Sequence, residues 1–408
     1  MDSAAPPLAP PALTAADKSA LDATPLVMPP PQLLSTMPAP LFSTASETAL
    51  NLSTPLRNKA VYPSRRYETK STWMQCIFGV LYLLLIVVCA FLDVVYFLFP
   101  LDYIVRPLLG RNIYKRGIKF FEGLFFAMLA GLLEYVAGVK IVVTMDPGDE
   151  SLEPHDHPFS ITDQVMLICN HRTEAIIRYA PGVGWALLQL RFPFVNRRWA
   201  TDEERIRKVI NQYQKYSSAS WLAMFPEGTT LEKKTLIKSH EFAMERGEAC
   251  WNYVLYPRVR GFELCVEEFN PESILDVTIA YPELADGVLP SPLRCIRGQY
   301  PKEVHIHMKR YKKASFEANK NDMSQWLKDR FTEKEELLKN FYENRVFLGK
   351  QVICENTRIG YLVIAGCVMN LAVLFFTYFI ATAYPLIMLC IYAFVALHSL
   401  YFVHTFGK

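Results

Sequence analysis

At 408 residues, 51% hydrophobic and with a formal net charge of +3, the chain is long enough to bury at least one full-sized core, and its charge is too small to argue for a nucleic-acid partner. Its apolar residues come in blocks, which is the signature of a membrane protein. Nine cysteines without a Cys-x-x-Cys pair fit a reducing compartment and do not fit a structural zinc.

In chain order, residues 1–56 are rich in Pro, Ala and Ser with Pro29-Pro30-Pro31 in the middle, so they pattern neither helix nor strand and are expected to form a disordered arm. Residues 57–139 are expected to anchor the chain. A basic stretch with Arg57, Lys59, Arg65, Arg66 and Lys70 precedes an apolar run from Trp73 to Pro100 broken only by Asp93. About 20 helical residues cross the ~30 Å hydrocarbon layer, so Trp73 to Leu92 suffices as a signal anchor. A second run, Ile118 to Val139, carries Glu122 and Glu134 and is flanked by Arg111, Lys115, Arg116 and Lys119. Those charges predict a helix lying in or dipping into the interface.

Residues 140–345 read as an α/β domain that alternates β-rich with helical runs. The predicted strands are Lys140–Thr144, Gln164–Cys169, Trp221–Phe225, Tyr253–Tyr256, Leu275–Ala280 and Glu303–Lys309. The predicted helices are Asp202–Tyr216, Leu236–Arg246 and Asn321–Tyr342, giving a mostly buried sheet flanked by helices. Residues 346–408 then hold two apolar runs, Gly360 to Ile380 and Pro385 to Val403, joined by Ala381-Thr382-Ala383-Tyr384. They predict a transmembrane hairpin, with Lys350, Arg358 and Lys408 placing both its ends on the positive, normally cytosolic side.

Four short motifs follow strand ends or apolar runs. In Asn170-His171-Arg172-Thr173-Glu174, a neutral imidazole at the exit of a buried strand can take a proton from an attacking hydroxyl; a histidine bonded to backbone would look the same. In Phe225-Pro226-Glu227-Gly228-Thr229, glycine permits close backbone approach to a ligand, and Thr229 with Glu232 has capping-box spacing, so a helix start could face a phosphate. A strand-to-helix turn without a ligand has the same composition. Pro193-Phe194-Val195-Asn196-Arg197-Arg198-Trp199 delivers two guanidinium groups suited to phosphate, or equally a solvated pair. Tyr256-Pro257-Arg258-Val259-Arg260-Gly261-Phe262 reads as a turn closing the strand before it.

In this order the motifs resemble the glycerophospholipid acyltransferase family, with its Asn-His-x4-Asp, apolar-Arg, Phe-Pro-Glu-Gly-Thr and late Pro-containing boxes. Lys238-Ser239, Ala280-Tyr281-Pro282 and Val304-His305-Ile306-His307 through Arg310-Tyr311 resemble its branch of lysocardiolipin, lysophosphatidylinositol and some lysophosphatidate acyltransferases. The resemblance covers roughly residues 74–345. It implies His171 as the base that deprotonates a glycerol hydroxyl. Arg197, Glu227, Gly228 and Thr229 would bind the acceptor phosphate, with Pro257 shaping the cleft. Acyl-CoA is the implied co-substrate, a lysophospholipid in the bilayer the acceptor, and the cytosolic face of the endoplasmic reticulum the setting. No cofactor and no metal is expected.

The sequence departs from that pattern at one point. The family's Asp, five residues after the His, is here Ile176, and Pro181-Gly182-Val183-Gly184-Trp185, which resembles a block normally well downstream, follows at once. That carboxylate orients and stabilises the imidazole, so two expectations stand: an active acyltransferase in which Glu174 takes over the task, or a catalytically impaired member that binds lipid or a partner. Two other histidine groups, His155-Asp156-His157 between two prolines and His305 with His307 on one strand face, are expected to be a solvated loop and a locally bonded pair.

Overall fold

The computed structural model describes residues 71–146, 164–171, 199–216, 220–286, 291–318, 322–352 and 357–406. All of them lie in one compact unit, 56–408. The expected arm 1–56, His155, His157, Glu174 and Arg197 fall outside the described residues.

Helix α1, Trp73–Asp93, opens on a capping box in which Thr72 accepts from the Gln75 amide and the Gln75 side chain returns to Thr72. It continues through π-helical turns Val94–Leu98 and Leu101–Val105 into α2, Arg106–Gly131. Within α2 the chain turns at Gly110, whose φ of 82° and ψ of 173° no other residue type adopts cheaply. The return limb lies back along the outgoing one: Phe97 stacks on Phe121 at 4.5 Å, and Arg106 sits 5.8 Å over the Tyr114 ring. The second apolar run is therefore one limb of a helical hairpin, with Phe125, Met128 and Leu132 packed into a cluster with Tyr82, Ala90 and Val94.

The domain between the helical parts is built on a six-stranded mixed sheet of order β3-β2-β4-β5-β1-β6. Its strands are β1 Lys140–Met145, β2 Val165–Cys169, β3 Trp221–Met224, β4 Ser273–Ala280, β5 Glu303–Lys312 and β6 Lys350–Val352. β2 runs parallel to β3 and β4, while β4 and β5 pair antiparallel over eight residues. The period of two sorts β2 between the faces: Met166 and Ile168 join the main core, Val165 and Cys169 a smaller cluster with Leu275, Val277 and Met308. Helices α3 Trp199–Tyr216, α4 Lys233–Glu245, α5 Val259–Phe269, α6 Pro292–Ile296, α7 Lys313–Glu317 and α8 Met323–Asn344 accompany the sheet.

Five of the six expected strands form. The sixth, Tyr253–Tyr256, does not: its β-rich side chains are buried, but its amides bond to side chains instead of a neighbouring strand. Helix α5 occupies the stretch after Arg258 that reads as a simple turn, because Phe262, Cys265 and Phe269 recur at helical spacing and bury together. The short β6 pairs antiparallel with β1, and its three residues are too few to show in a periodicity.

After the sheet come α9, Thr357–Ala383, and α10, Pro385–Phe406. Only Tyr384 separates them, a tighter link than the four residues expected, since Pro385 is well suited to the first turn of a helix. Among the described residues, two helical stretches are long and apolar enough to cross a membrane, Trp73–Val136 and Val363–Ala383, and Pro385–His398 is a shorter apolar helix. Polar bonds cross this bundle: Thr377 donates to the Tyr96 hydroxyl at 2.7 Å, and Tyr103 and His398 share a bond of 2.5 Å.

Candidate functional site

The site is assembled where β2 and β3, parallel neighbours, both end. β2 delivers Asn170 and His171. Asn170, 1% exposed, places its amide as a surrogate strand residue: Oδ1 accepts the Ile279 N–H at 2.7 Å and Nδ2 donates to the Ile279 carbonyl at 3.0 Å. This bidentate bond continues the β2–β4 pairing one step past Cys169 and fixes the direction in which the chain leaves the sheet. His171 follows with its backbone held on both sides. Its N–H donates to Glu227 Oε1 at 2.8 Å, and its carbonyl accepts from the Leu231 amide at 3.1 Å. The imidazole is half-buried against the Phe225 ring, centroids 4.7 Å apart.

β3 delivers Phe225-Pro226-Glu227-Gly228-Thr229. The turn is closed by Gly228 N–H to the Phe225 carbonyl at 3.0 Å, with Gly228 at φ 68°. A side chain there would be strained, and its Cβ would meet Arg258 Cγ at 3.2 Å. Glu227 turns inward and is 2% exposed. Its second oxygen accepts the Leu255 N–H at 3.3 Å, so one buried carboxylate joins the histidine turn, its own turn and the segment before Pro257. Charge-assisted bonds to backbone amides are roughly twice as strong as neutral ones. Thr229 is half-buried and Gly228 exposed at the rim. The capping arrangement differs from the expected one: Glu232 is the N-cap of α4 and boxes with Thr235, so Thr230 and Leu231 separate the turn from the helix start.

The late box joins the same neighbourhood. Pro257 is buried, and Arg258 N–H donates to the Pro226 carbonyl at 2.6 Å. The exposed Arg258 side chain therefore lies along Gly228, a cation that reading the motif as a bare turn passes over; the Arg-Val-Arg doublet was its available signal. Arg197 is outside the described residues, but Trp199 lies beneath the Arg260 guanidinium at 4.6 Å, which brings the start of α3 to the start of α5. His171, Glu227, Gly228, Thr229 and Pro257 are thus brought together.

Beneath the site lies a charge pair that the motifs did not point to. Lys334 of α8, 0% exposed, pairs with Asp276 of β4 and donates to the Val277 carbonyl at 2.7 Å and the Ile168 carbonyl at 3.5 Å. Burial pushes the Asp276 carboxyl up from its ordinary range, and the Lys334 ammonium opposes that. The signal was Lys334 falling in the apolar stripe Leu327, Phe331, Leu338, Phe341 at spacings of three and four. On the same face of the sheet, against Phe341 and Phe347, His305 bonds Glu303 at 3.0 Å. His307 bridges Thr144 at 3.2 Å and Asp146 at 3.0 Å, the local bonding expected of the pair. Among the described residues no group of three or more potential metal ligands occurs.

Comparison with known proteins agrees with this arrangement. The family model described as Acyltransferase C-terminus matches residues 294–367. The chain is 30% identical over 282 residues to lysocardiolipin acyltransferase 1 of Danio rerio, covering 65% of this chain and 71% of that protein. It is 31% identical over 295 residues to a probable 1-acyl-sn-glycerol-3-phosphate acyltransferase 5 of Arabidopsis thaliana, covering 66% and 74%. It is 29% identical over 281 residues to lysophosphatidylinositol acyltransferase 10 of Caenorhabditis elegans, covering 60% and 67%. No solved structure matches the chain. With two such relatives at 30% identity or more over most of their length, the chain belongs to the glycerophospholipid acyltransferase family.

Proposed function

We propose that the chain is a membrane-bound enzyme that transfers a fatty acyl group from acyl-CoA to the free hydroxyl of a lysophospholipid. The acceptor belongs to the lysophosphatidate, lysocardiolipin or lysophosphatidylinositol class. The single observation that carries this reading is Glu227 joining the His171 turn to the Phe-Pro-Glu-Gly-Thr turn and the Leu255 amide. It supports reading His171 as the base beside a phosphate-binding rim. His171 takes the proton of the glycerol hydroxyl as that oxygen bonds to the acyl carbon; the carbon–sulfur bond then breaks, and the proton passes to the departing thiolate. No protein nucleophile and no cofactor is needed. Gly228, Thr229 and the adjacent Arg258 face the acceptor phosphate, with Arg197 assigned to the same task. Glu227 serves by fixing the histidine and the turn, since its carboxylate is directed into the protein.

Residues 140–345 are read as the catalytic domain. Residues 57–139 and the hairpin 346–408 hold it to the endoplasmic reticulum membrane on the cytosolic side, a reading supported by the long apolar helices. The test is thiol release from acyl-CoA by the purified chain in mixed micelles. Release should require a lysophospholipid and fall ~10²–10⁴-fold in His171→Ala. Folded protein that turns over with none of the three acceptor classes would defeat the reading. Ile176 at the family's Asp position supports the rival, an impaired lipid-binding member; turnover that depends on His171 removes it.

A further inference from the structure

Helix α8 lies inside the matched region 294–367 and presents Leu327, Phe331, Leu338 and Phe341, all 0% exposed, to the core. Between them runs Glu333-Lys334-Glu335-Glu336, in which Lys334 is buried and Glu335 half-buried. Charges turned toward a core persist only when their bonds are made elsewhere in the protein. Glu335 Oε1 accepts the Asn252 N–H at 2.6 Å, and Oε2 accepts the Tyr253 and Val254 N–H groups at 2.7 and 3.1 Å. One carboxylate thus collects three successive amides of a segment that belongs to no strand of the sheet. The next amide, that of Leu255, goes to Glu227, whose other oxygen holds the His171 N–H, and the Tyr256 amide goes to Ser239 Oγ at 3.1 Å. Lys334 meanwhile bonds the carbonyl of Ile168, three residues before His171. Two neighbouring side chains of one helix therefore hold both approaches to the histidine: the strand that delivers it and the segment that aligns its carboxylate clamp.

We infer that Glu335 is a positioning residue for the proposed acyl transfer. Through residues 252–255 it sets Glu227, and through Glu227 it sets His171, which gives the C-terminal part of the chain a task at the site. The inference deepens the acyltransferase reading, and only its kinetic arm depends on that reading. Three variants of the full chain in micelles test it: Glu335→Gln, Glu335→Asp and, as a control, Glu336→Gln at an exposed position of the same helix.

Hydrogen exchange followed by mass spectrometry should show Glu335→Gln exchanging faster in peptides carrying 252–256 and also in the peptide carrying His171, with Glu336→Gln unchanged. Thiol-release kcat should fall roughly 10- to 100-fold with KM for both substrates within about threefold, and Glu335→Asp should recover part of the loss. Faster exchange confined to 252–254, or an unchanged kcat in Glu335→Gln, overturns the inference. Should Glu335→Gln not fold, Glu335→Asp carries both arms. Absence of turnover in the unaltered chain defeats the acyltransferase reading, and the exchange arm still decides this one.

Discussion

Replacing Glu227 by Gln removes one negative charge without changing the volume of a residue that is 2% exposed. In the native protein its two oxygens accept N–H groups from His171 at 2.8 Å and from Leu255 at 3.3 Å. A glutamine has one acceptor oxygen, so it can keep the shorter bond at about half its former strength, and its NH2 then points at an N–H that no longer has an acceptor there. A buried donor left without a partner costs ~1–3 kcal/mol, and weakening the remaining bond costs about 1 more. Because a neutral amide is cheaper to bury than a carboxylate, the net loss of stability is expected near ~2 kcal/mol. It is measured as a shift in the urea midpoint, followed by tryptophan fluorescence in micelles. Kinetically, His171 loses its backbone restraint, so kcat should drop by ~10–10² while the acceptor KM stays within about threefold. The reverse pattern, unchanged stability with an acceptor KM raised about tenfold or more, would mean that Glu227 contacts the phosphate directly and would refute the argument from burial.

Two further outcomes follow from buried charge. Lys334→Met leaves the Asp276 carboxylate unpaired under the sheet and should cost ~3–5 kcal/mol, while Lys334→Met with Asp276→Leu should regain most of that; equal midpoints for the single and double variants would show that the pair is not coupled. His307 is held below its ordinary pKa by burial, against the pull of Asp146, which also pairs with Lys309 at 3.2 Å; Asp276 raises and Lys334 lowers it from further off. Its folded value is therefore below its unfolded one. Stability is fully present above an unfolded pKa of about 6.5, falls as pH drops through that value, and levels off below the folded value. The loss should be visible between pH 7.5 and 5.5 in urea midpoints, by up to ~1.4 kcal/mol per pH unit, and absent from that histidine's share in His307→Gln; identical slopes in the two proteins would contradict the shift.

What the sequence determined by itself was whatever depends on neighbours a few residues apart. The apolar runs from Trp73 and Pro385, the strands at 165–169 and 275–280, and the order of the boxes are written in spacings of two, three or four, or in unbroken apolar length. Tertiary structure decided the rest. Tyr253–Tyr256 has the composition of a strand, yet its amides go to Glu335, Glu227 and Ser239, between 17 and 82 residues away, so no local pattern could show that the ladder is replaced by carboxylates and a hydroxyl. The family resemblance assigns Glu227 to the acceptor phosphate, and no local pattern shows that the packing of three segments around it turns the carboxylate inward. Lys334 interrupts an apolar stripe and Glu335 lies in a charged run when read as a string, but both acquire their partners only from β2, β4 and the 252–256 segment. A buried charge is stable only beside partners that the chain brings from far away, and that choice of partners is made by folding as a whole.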